Sequence, residues 1–397
     1  MKITFNTLFV SLFLLISACS PLPDEVLLEV MNELKTNFAP DSRVAIWDIQ
    51  YEQKGRKLIF SGESNLPEAV SELKRKLSQY DKKVCYEIQS LPAASFGDTV
   101  YGIVNASIAN FRGEPRHSAE LITQAILGHP LRLYKTNQSG YWYYLQSSDN
   151  YLGWLESGAF VRLSKNDFEH WQKSEKVIYL QDAGSVYSKP NQRSSLVSDL
   201  VAGALLKYEG ENGSYYKVRY PDGRSGYIPK HNSALFSKWL AGAEASEESI
   251  IKTSYRYMGI PYLWGGTSSK AMDCSGFTKT IYFLNGILLP RDASQQVHKG
   301  QKITEDVNRL DLLRPGDLLF FGRKATADKA ERVTHVGIYI GNGEMIHETG
   351  PVCIESLQPG AENFTQYRYN TFIRAKRIIG QAVTQLSESP WYNQQNK

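Results

Sequence analysis

A pattern that opens at Leu127 opens again at Val201. Leu127-Gly128-His129-Pro130-Leu131 is followed by Tyr141-Trp142-Tyr143-Tyr144-Leu145, then by Asp149-Asn150-Tyr151-Leu152-Gly153-Trp154. Val201-Ala202-Gly203-Ala204-Leu205 is followed by Tyr215-Tyr216-Lys217-Val218, then by Asp222-Gly223-Arg224-Ser225-Gly226-Tyr227. Each copy runs from a glycine-marked strand to an aromatic strand, and through a turn to a Gly-aromatic close. Short strands punctuated by turns predict small all-β barrels, and the repeat predicts two in tandem, expected over 96–166 and 167–237. An aromatic content of 12%, with 24 tyrosines and 7 tryptophans, suits such cores and exposed binding surfaces.

The 397 residues leave room for two to four domains. Residues 23–37 carry Val26, Leu27, Val30, Met31 and Leu34 at helical spacing, and 44–50 and 58–62 alternate as strands. A second helix over 66–77 and a third strand over 84–88 complete a small α+β module, expected over 19–95, with no residue that suggests chemistry. The first eighteen residues read as an export signal: Lys2, then an apolar run over 8–16 that is too short to span a bilayer. The run ends in Ile16-Ser17-Ala18-Cys19, which resembles the lipobox of bacterial lipoproteins. That resemblance implies cleavage before Cys19, lipid on Cys19 and a membrane anchor, hence an exported lipoprotein of the cell envelope. Ser20, with no aspartate after the cysteine, points to an outer membrane, facing the periplasm, in a cell that has two. A net charge of +4 with no basic run gives no ground for a nucleic-acid partner.

Three cysteines remain. Cys85 and Cys353 lie in strand-like surroundings, where a small buried apolar residue is the default, and no pair has zinc-ligand spacing. Cys274 differs. Asp273-Cys274-Ser275-Gly276-Phe277 places it in the first turn of a helix whose apolar face is Phe277, Ile281 and Leu284 and which ends at Asn285-Gly286. A helix N-terminus lowers a thiol pKa and a nearby imidazolium lowers it further, so an ionised sulfur is expected. His335 opens the strand His335-Val336-Gly337-Ile338-Tyr339-Ile340, Gly341-Asn342-Gly343 turns it, and His347 lies on the return strand. A three-residue turn would pair His347 with Gly337, on the face of His335. A two-residue turn would put the histidines on opposite faces. The chemistry such a set offers is a Cys274 nucleophile, a His335 base and a His347 that fixes the base's tautomer.

Pro261-Tyr262-Leu263-Trp264-Gly265-Gly266, the Cys274 segment, Leu289-Pro290-Arg291, Arg314-Pro315-Gly316-Asp317 and His335-Val336-Gly337-Ile338-Tyr339 occur in that order. Together they resemble the NlpC-type papain-like cysteine peptidases of bacterial cell walls, over about residues 246–377 of an expected domain at 238–380. The two barrels resemble bacterial Src-homology-3-like modules. The implied fold is multidomain α+β: a papain-like catalytic domain preceded by two small β-barrels and the N-terminal α+β module. The resemblance also implies that Tyr262 helps hold the oxyanion, and it implies no metal and no cofactor. Within the family the chain is similar to two-barrel members that cut γ-D-glutamyl-diamino acid bonds in peptidoglycan peptides beginning with a free L-alanine. That similarity implies Asp292 as a ligand of the amine, a hydrogen bond from Ser275, closure of the site by Glu120 and Tyr151 of the first barrel, and Trp264 among the substrate contacts. Two rival readings stay open: a wall-remodelling hydrolase acting on intact stems or on the sugar–peptide amide, and an idle wall-binding lipoprotein. Residues 381–397 are expected to be a polar, frayed tail.

Overall fold

The computed structural model describes residues 22–54, 57–80 and 83–392, and Cys19 with its leader lies outside them. Among the described residues no helix is long and apolar enough to cross a membrane. The chain divides into two compact units after Leu91.

The first unit carries helices Asp24–Phe38 and Pro67–Leu77 and strands Trp47–Lys54, Lys57–Ser64 and Lys83–Ser90. The first two strands pair antiparallel and the third lies parallel to the second. A parallel neighbour needs a crossover, and the second helix supplies it. Leu27, Leu34, Phe60, Leu73 and Leu77 fill the core. Cys85 corrects its expected burial. It is half-exposed, because its strand is an edge of the three-stranded sheet.

In the second unit, strands from Tyr101–Val104 to Phe160–Leu163 form one seven-stranded sheet. Strands from Lys176–Tyr179 to Ser233–Leu235 form another. The sequence repeat has a backbone meaning: Gly128 and Gly203 both turn with positive φ, 83° and 88°. These turns sit where the barrels meet. Leu205 N–H donates to Leu127 O at 2.9 Å, and a Cβ on Gly128 would run into the Leu205 carbonyl. A helix, Lys165–Lys173, joins the barrels and starts at a Ser164 cap, so the expected border at 166/167 falls inside it.

The C-terminal domain opens with helix Glu247–Tyr255, whose capping box is Ser246 with Ser249. The expected nucleophile helix, Cys274–Phe283, follows. It packs on a six-stranded antiparallel sheet ordered Gln301–Thr304, Phe372–Arg377, Leu318–Arg323, Arg332–Gly341, Glu344–Glu348, Val352–Ser356. Phe277 and Ile281 bury fully against Val336, Ile338 and Ile346. At roughly 1.5–3 kcal/mol for each buried large side chain, this contact fixes the helix on the strand that carries His335.

The C-terminal tail departs from expectation, for it is docked through Tyr392. Val383, Leu386, Ser389 and Tyr392 are buried. Leu386 N–H donates to Gly286 O at 2.7 Å, and Leu288 N–H to Thr384 O at 3.0 Å. The Tyr392 hydroxyl hydrogen-bonds Ser148 Oγ at 2.6 Å and His129 Nδ1 at 3.0 Å, on the first barrel. A few apolar side chains spaced through a polar run suffice when the backbone between them is paired as well.

Candidate active site

Asp273 organises the start of the nucleophile helix. Its Oδ1 accepts from Gly276 N–H (2.8 Å) and its Oδ2 from Gly265 N–H (2.9 Å). Arg291, fully buried, grips both oxygens: Nη1 to Oδ1 at 3.0 Å and Nη2 to Oδ2 at 2.6 Å. Burial is the largest single influence and would raise the carboxyl, but Arg291 together with the Gly276 and Gly265 N–H groups holds Asp273 below the usual carboxylate range. The same guanidinium donates to Ser275 Oγ (2.9 Å) and to Thr123 Oγ1 of the first barrel (3.0 Å). Arg291 therefore ties nucleophile helix to barrel. Ser275 is correspondingly buried, with its hydroxyl engaged by Arg291 and Asp273. Gly276 has to be small, since a Cβ there would meet the Gly266 carbonyl.

Cys274 is buried beneath the strand that begins the hairpin, with the Val336 N–H directed at its sulfur. His335 is the preceding residue on that strand. Burial, and next the Asp273 carboxylate, push the thiol up to about 12. Burial also carries His335 well below its ordinary value, helped by Arg368 and His347. Both shifts favour a neutral thiol and a neutral imidazole at rest, the opposite direction from the expected ionised sulfur. The helix end does favour a thiolate, but its capping carboxylate sits one residue away and opposes it.

His335 Nε2 lies 2.7 Å from His347 Nδ1, with ring planes at 85°. The two share a face by a route that neither turn length anticipated. The turn has two residues, Asn342 and Gly343, with φ of 52° and 76°, and Gly341 pairs with Glu344. A bulge between Tyr339 and Gly341 then shifts the register by one, and Gly337 faces His347. With Nε2 committed to His347, Nδ1 is the nitrogen left for the thiol proton. That requires Nε2–H on His335, acceptance at His347 Nδ1, and a proton on His347 Nε2. Beyond it stands Glu355, whose Oε2 is 3.2 Å from His347 Nε2 in ion-pair range, without hydrogen-bond alignment. His347 holds the Glu355 carboxyl below its usual range. Glu355 was not singled out from the sequence. Strand alternation carries the signal: Cys353 pairs with His347, and Glu355 is two residues on, on the same face.

Tyr262 is partly exposed, and its phenol is pushed up to about 12 by burial and by Cys274, Asp273 and Glu348 beside it. It is a neutral donor. Glu348 is fully buried with neither oxygen hydrogen-bonded, and burial together with Asp273 pushes it to about 9, so it is an uncharged acid at neutral pH.

The remaining candidates arrive as two pairs across the boundary between first barrel and C-terminal domain. Tyr151 Oη donates to Asp292 Oδ2 at 2.9 Å. Trp264 Nε1 donates to Glu120 Oε1 at 2.7 Å, with the indole largely exposed. Strand Leu121–Ile126 runs along the cleft loop, where Gln124 accepts from Thr267 N–H and Thr267 Oγ1–H, both at 3.0 Å. A Cβ on Gly265 would strike the Leu121 carbonyl.

Residues 259–374 match the NlpC/P60 family model. Residues 111–160 match the bacterial dipeptidyl-peptidase Sh3 domain and 182–234 the bacterial SH3 domain. A γ-D-glutamyl-L-lysine dipeptidyl-peptidase of Bacillus cereus is 27% identical over 236 residues, 57% of this chain and 67% of that one. One from Bacillus subtilis is 32% identical over 197 residues, 50% of this chain and 60% of that one. A crystal structure of an NlpC/P60 family protein from Bacillus cereus covers 70% of this chain and 99% of its own, with a TM-score of 0.59 at 23% identity, a likeness of fold.

Proposed function

We propose that this chain, an NlpC/P60 cysteine peptidase with two bacterial SH3 domains and a peptidase of peptidoglycan peptides, cuts the γ-D-glutamyl-L-diamino acid bond of stem peptides that begin with a free L-alanine. The observation that carries the reading is the pair of carboxylates at the barrel boundary, Asp292 under Tyr151 and Glu120 under Trp264. An ammonium leaving water needs carboxylate acceptors, and these two lie where the first barrel meets the C-terminal domain. The names of the two Bacillus relatives, which specify a γ-D-glutamyl-L-lysine bond, support it further.

In this reading the Cys274 sulfur attacks the γ-carbonyl while its proton passes to His335 Nδ1. The oxyanion is met by the Tyr262 hydroxyl and the Cys274 N–H. The C–N bond then breaks, the amine leaves with the proton from His335, and a thioester remains. His335 next takes a proton from water as hydroxide adds to the thioester; the C–S bond then breaks, the γ-carboxyl product leaves, and the sulfur takes the proton back from His335. His347 holds His335 in the productive tautomer throughout.

Acetylating the alanine nitrogen of L-Ala-γ-D-Glu-diaminopimelate removes the charge that the Asp292 and Glu120 carboxylates would meet, so cleavage should slow at least about tenfold. Equal rates for both peptides would remove the amine site and favour the intact-stem reading. The export signal and lipobox-like segment extend the proposal to an envelope lipoprotein anchored through Cys19, in the outer membrane, facing the periplasm, of a cell with two. Mass spectrometry of the mature chain should find an acylated Cys19 at its N-terminus, and an unmodified one contradicts the anchor.

A further inference from the structure

The far side of the histidine pair carries a second set of donors. His347 Nε2, Cys353 Sγ and a Glu355 carboxylate oxygen all lie within 4.8 Å of one another. His347 is fully buried, and its Nε2 points at Glu355 Oε2 with neither atom in a hydrogen bond. Their 3.2 Å separation is close to the edge of a tetrahedron built on metal bonds of about 2.0 Å. Cys353 and Glu355 are only half-buried, which gives an ion a way in. Imidazole, thiolate and carboxylate are a zinc donor set, and water completes four-coordination.

We propose that His347, Cys353 and Glu355 form an inhibitory site for zinc or a similar soft divalent cation, which switches the peptidase off by reversing the tautomers of the histidine pair. A metal bond at His347 Nε2 takes the lone pair of that nitrogen, so the ring's proton must sit on Nδ1. Nδ1–H then donates to His335 Nε2 across the existing 2.7 Å contact. His335 in turn carries its proton on Nδ1, the nitrogen that must receive the thiol proton, and the base is blocked. The displaced His347 proton reaches His335 Nδ1 through solvent, and the Cys353 thiol proton is released to solvent, so nothing is oxidised or reduced. The positive neighbour is Arg368, whose Nη2 donates to Thr349 Oγ1 at 3.1 Å. It opposes a cation, and the two anionic ligands offset it.

Two readouts test the site, one of them independent of substrate. The Cys274→Ala chain should retain one zinc per molecule in equilibrium dialysis, and its cobalt complex should show a thiolate charge-transfer band. The Cys274→Ala/Cys353→Ala chain should bind at least tenfold more weakly and lose the band. In turnover, EDTA should reverse zinc inhibition of the wild type. Cys353→Ala should match the wild type without metal and need at least tenfold more zinc for half-inhibition. Failure of Cys274→Ala to bind zinc, or equal inhibition of Cys353→Ala and wild type, overturns the proposal, the latter because the metal would then sit on Cys274 and His335.

Discussion

Iodoacetamide should alkylate Cys274 about tenfold faster for each pH unit between 6 and 9, about a thousandfold over the range. Only the thiolate reacts, and a thiol pushed up to about 12 is almost wholly protonated throughout that window, so the thiolate fraction climbs in proportion to hydroxide. The depressed His335 contributes no imidazolium there to hold a thiolate. A preformed ion pair behaves oppositely, since its alkylation rate levels off once the low thiol pKa is passed. Peptide-resolved mass spectrometry separates Cys274 from Cys85 and Cys353. A plateau already reached at pH 6 contradicts the neutral pair. A neutral pair has a consequence for turnover: the thiol gives up its proton while the S–C bond forms, so the base and its tautomer matter at the chemical step itself.

Arg291→Met should be the most damaging substitution outside the reacting groups. It leaves Asp273 as an unpaired buried charge, which costs about 3–5 kcal/mol in comparable cases. It also removes the hydrogen bonds to Ser275 and Thr123 that hold helix and barrel together. Denaturant unfolding should show the loss of stability, and kcat/KM should fall at least a hundredfold even where the chain stays folded. Arg291→Lys should rescue little, because an ammonium cannot span two carboxylate oxygens and two further acceptors at once. Asp273→Asn combined with Arg291→Met should recover much of the stability, since the stranded charge is gone, while activity stays low. Arg291→Met with wild-type stability would contradict this account of the buried pair.

The fold was legible where pattern and local chemistry agreed. Val26, Leu27, Val30 and Leu34 marked the first helix, and the doubled Gly-aromatic pattern marked two barrels. The histidine hairpin shows how far spacing reaches. The sequence placed both residues on adjacent strands, but parity hung on a bulge near Ile340, which no residue in Gly341-Asn342-Gly343 announces. Arg291 sat within a recognised motif, yet its partners lie 18 residues back and on the first barrel, and periodicity carries no such long-range pairing. For Cys274 the helix position, which favours a thiolate, is visible in sequence, and the depth of burial, which opposes one, is not. Cys353 was assigned a core role on its apolar neighbours Val352 and Ile354, although side chains on that strand alternate, and its own face is the one shared with His347.

Rapid acid quenching of the enzyme mixed with L-Ala-γ-D-Glu-diaminopimelate, followed by peptide mapping, tests Cys274 as the nucleophile most directly. An L-Ala-D-Glu group in thioester linkage on the peptide containing Cys274, with no adduct and no turnover in Cys274→Ala, is the predicted result. The acyl group on another residue, or hydrolysis by Cys274→Ala at the wild-type rate, would contradict it.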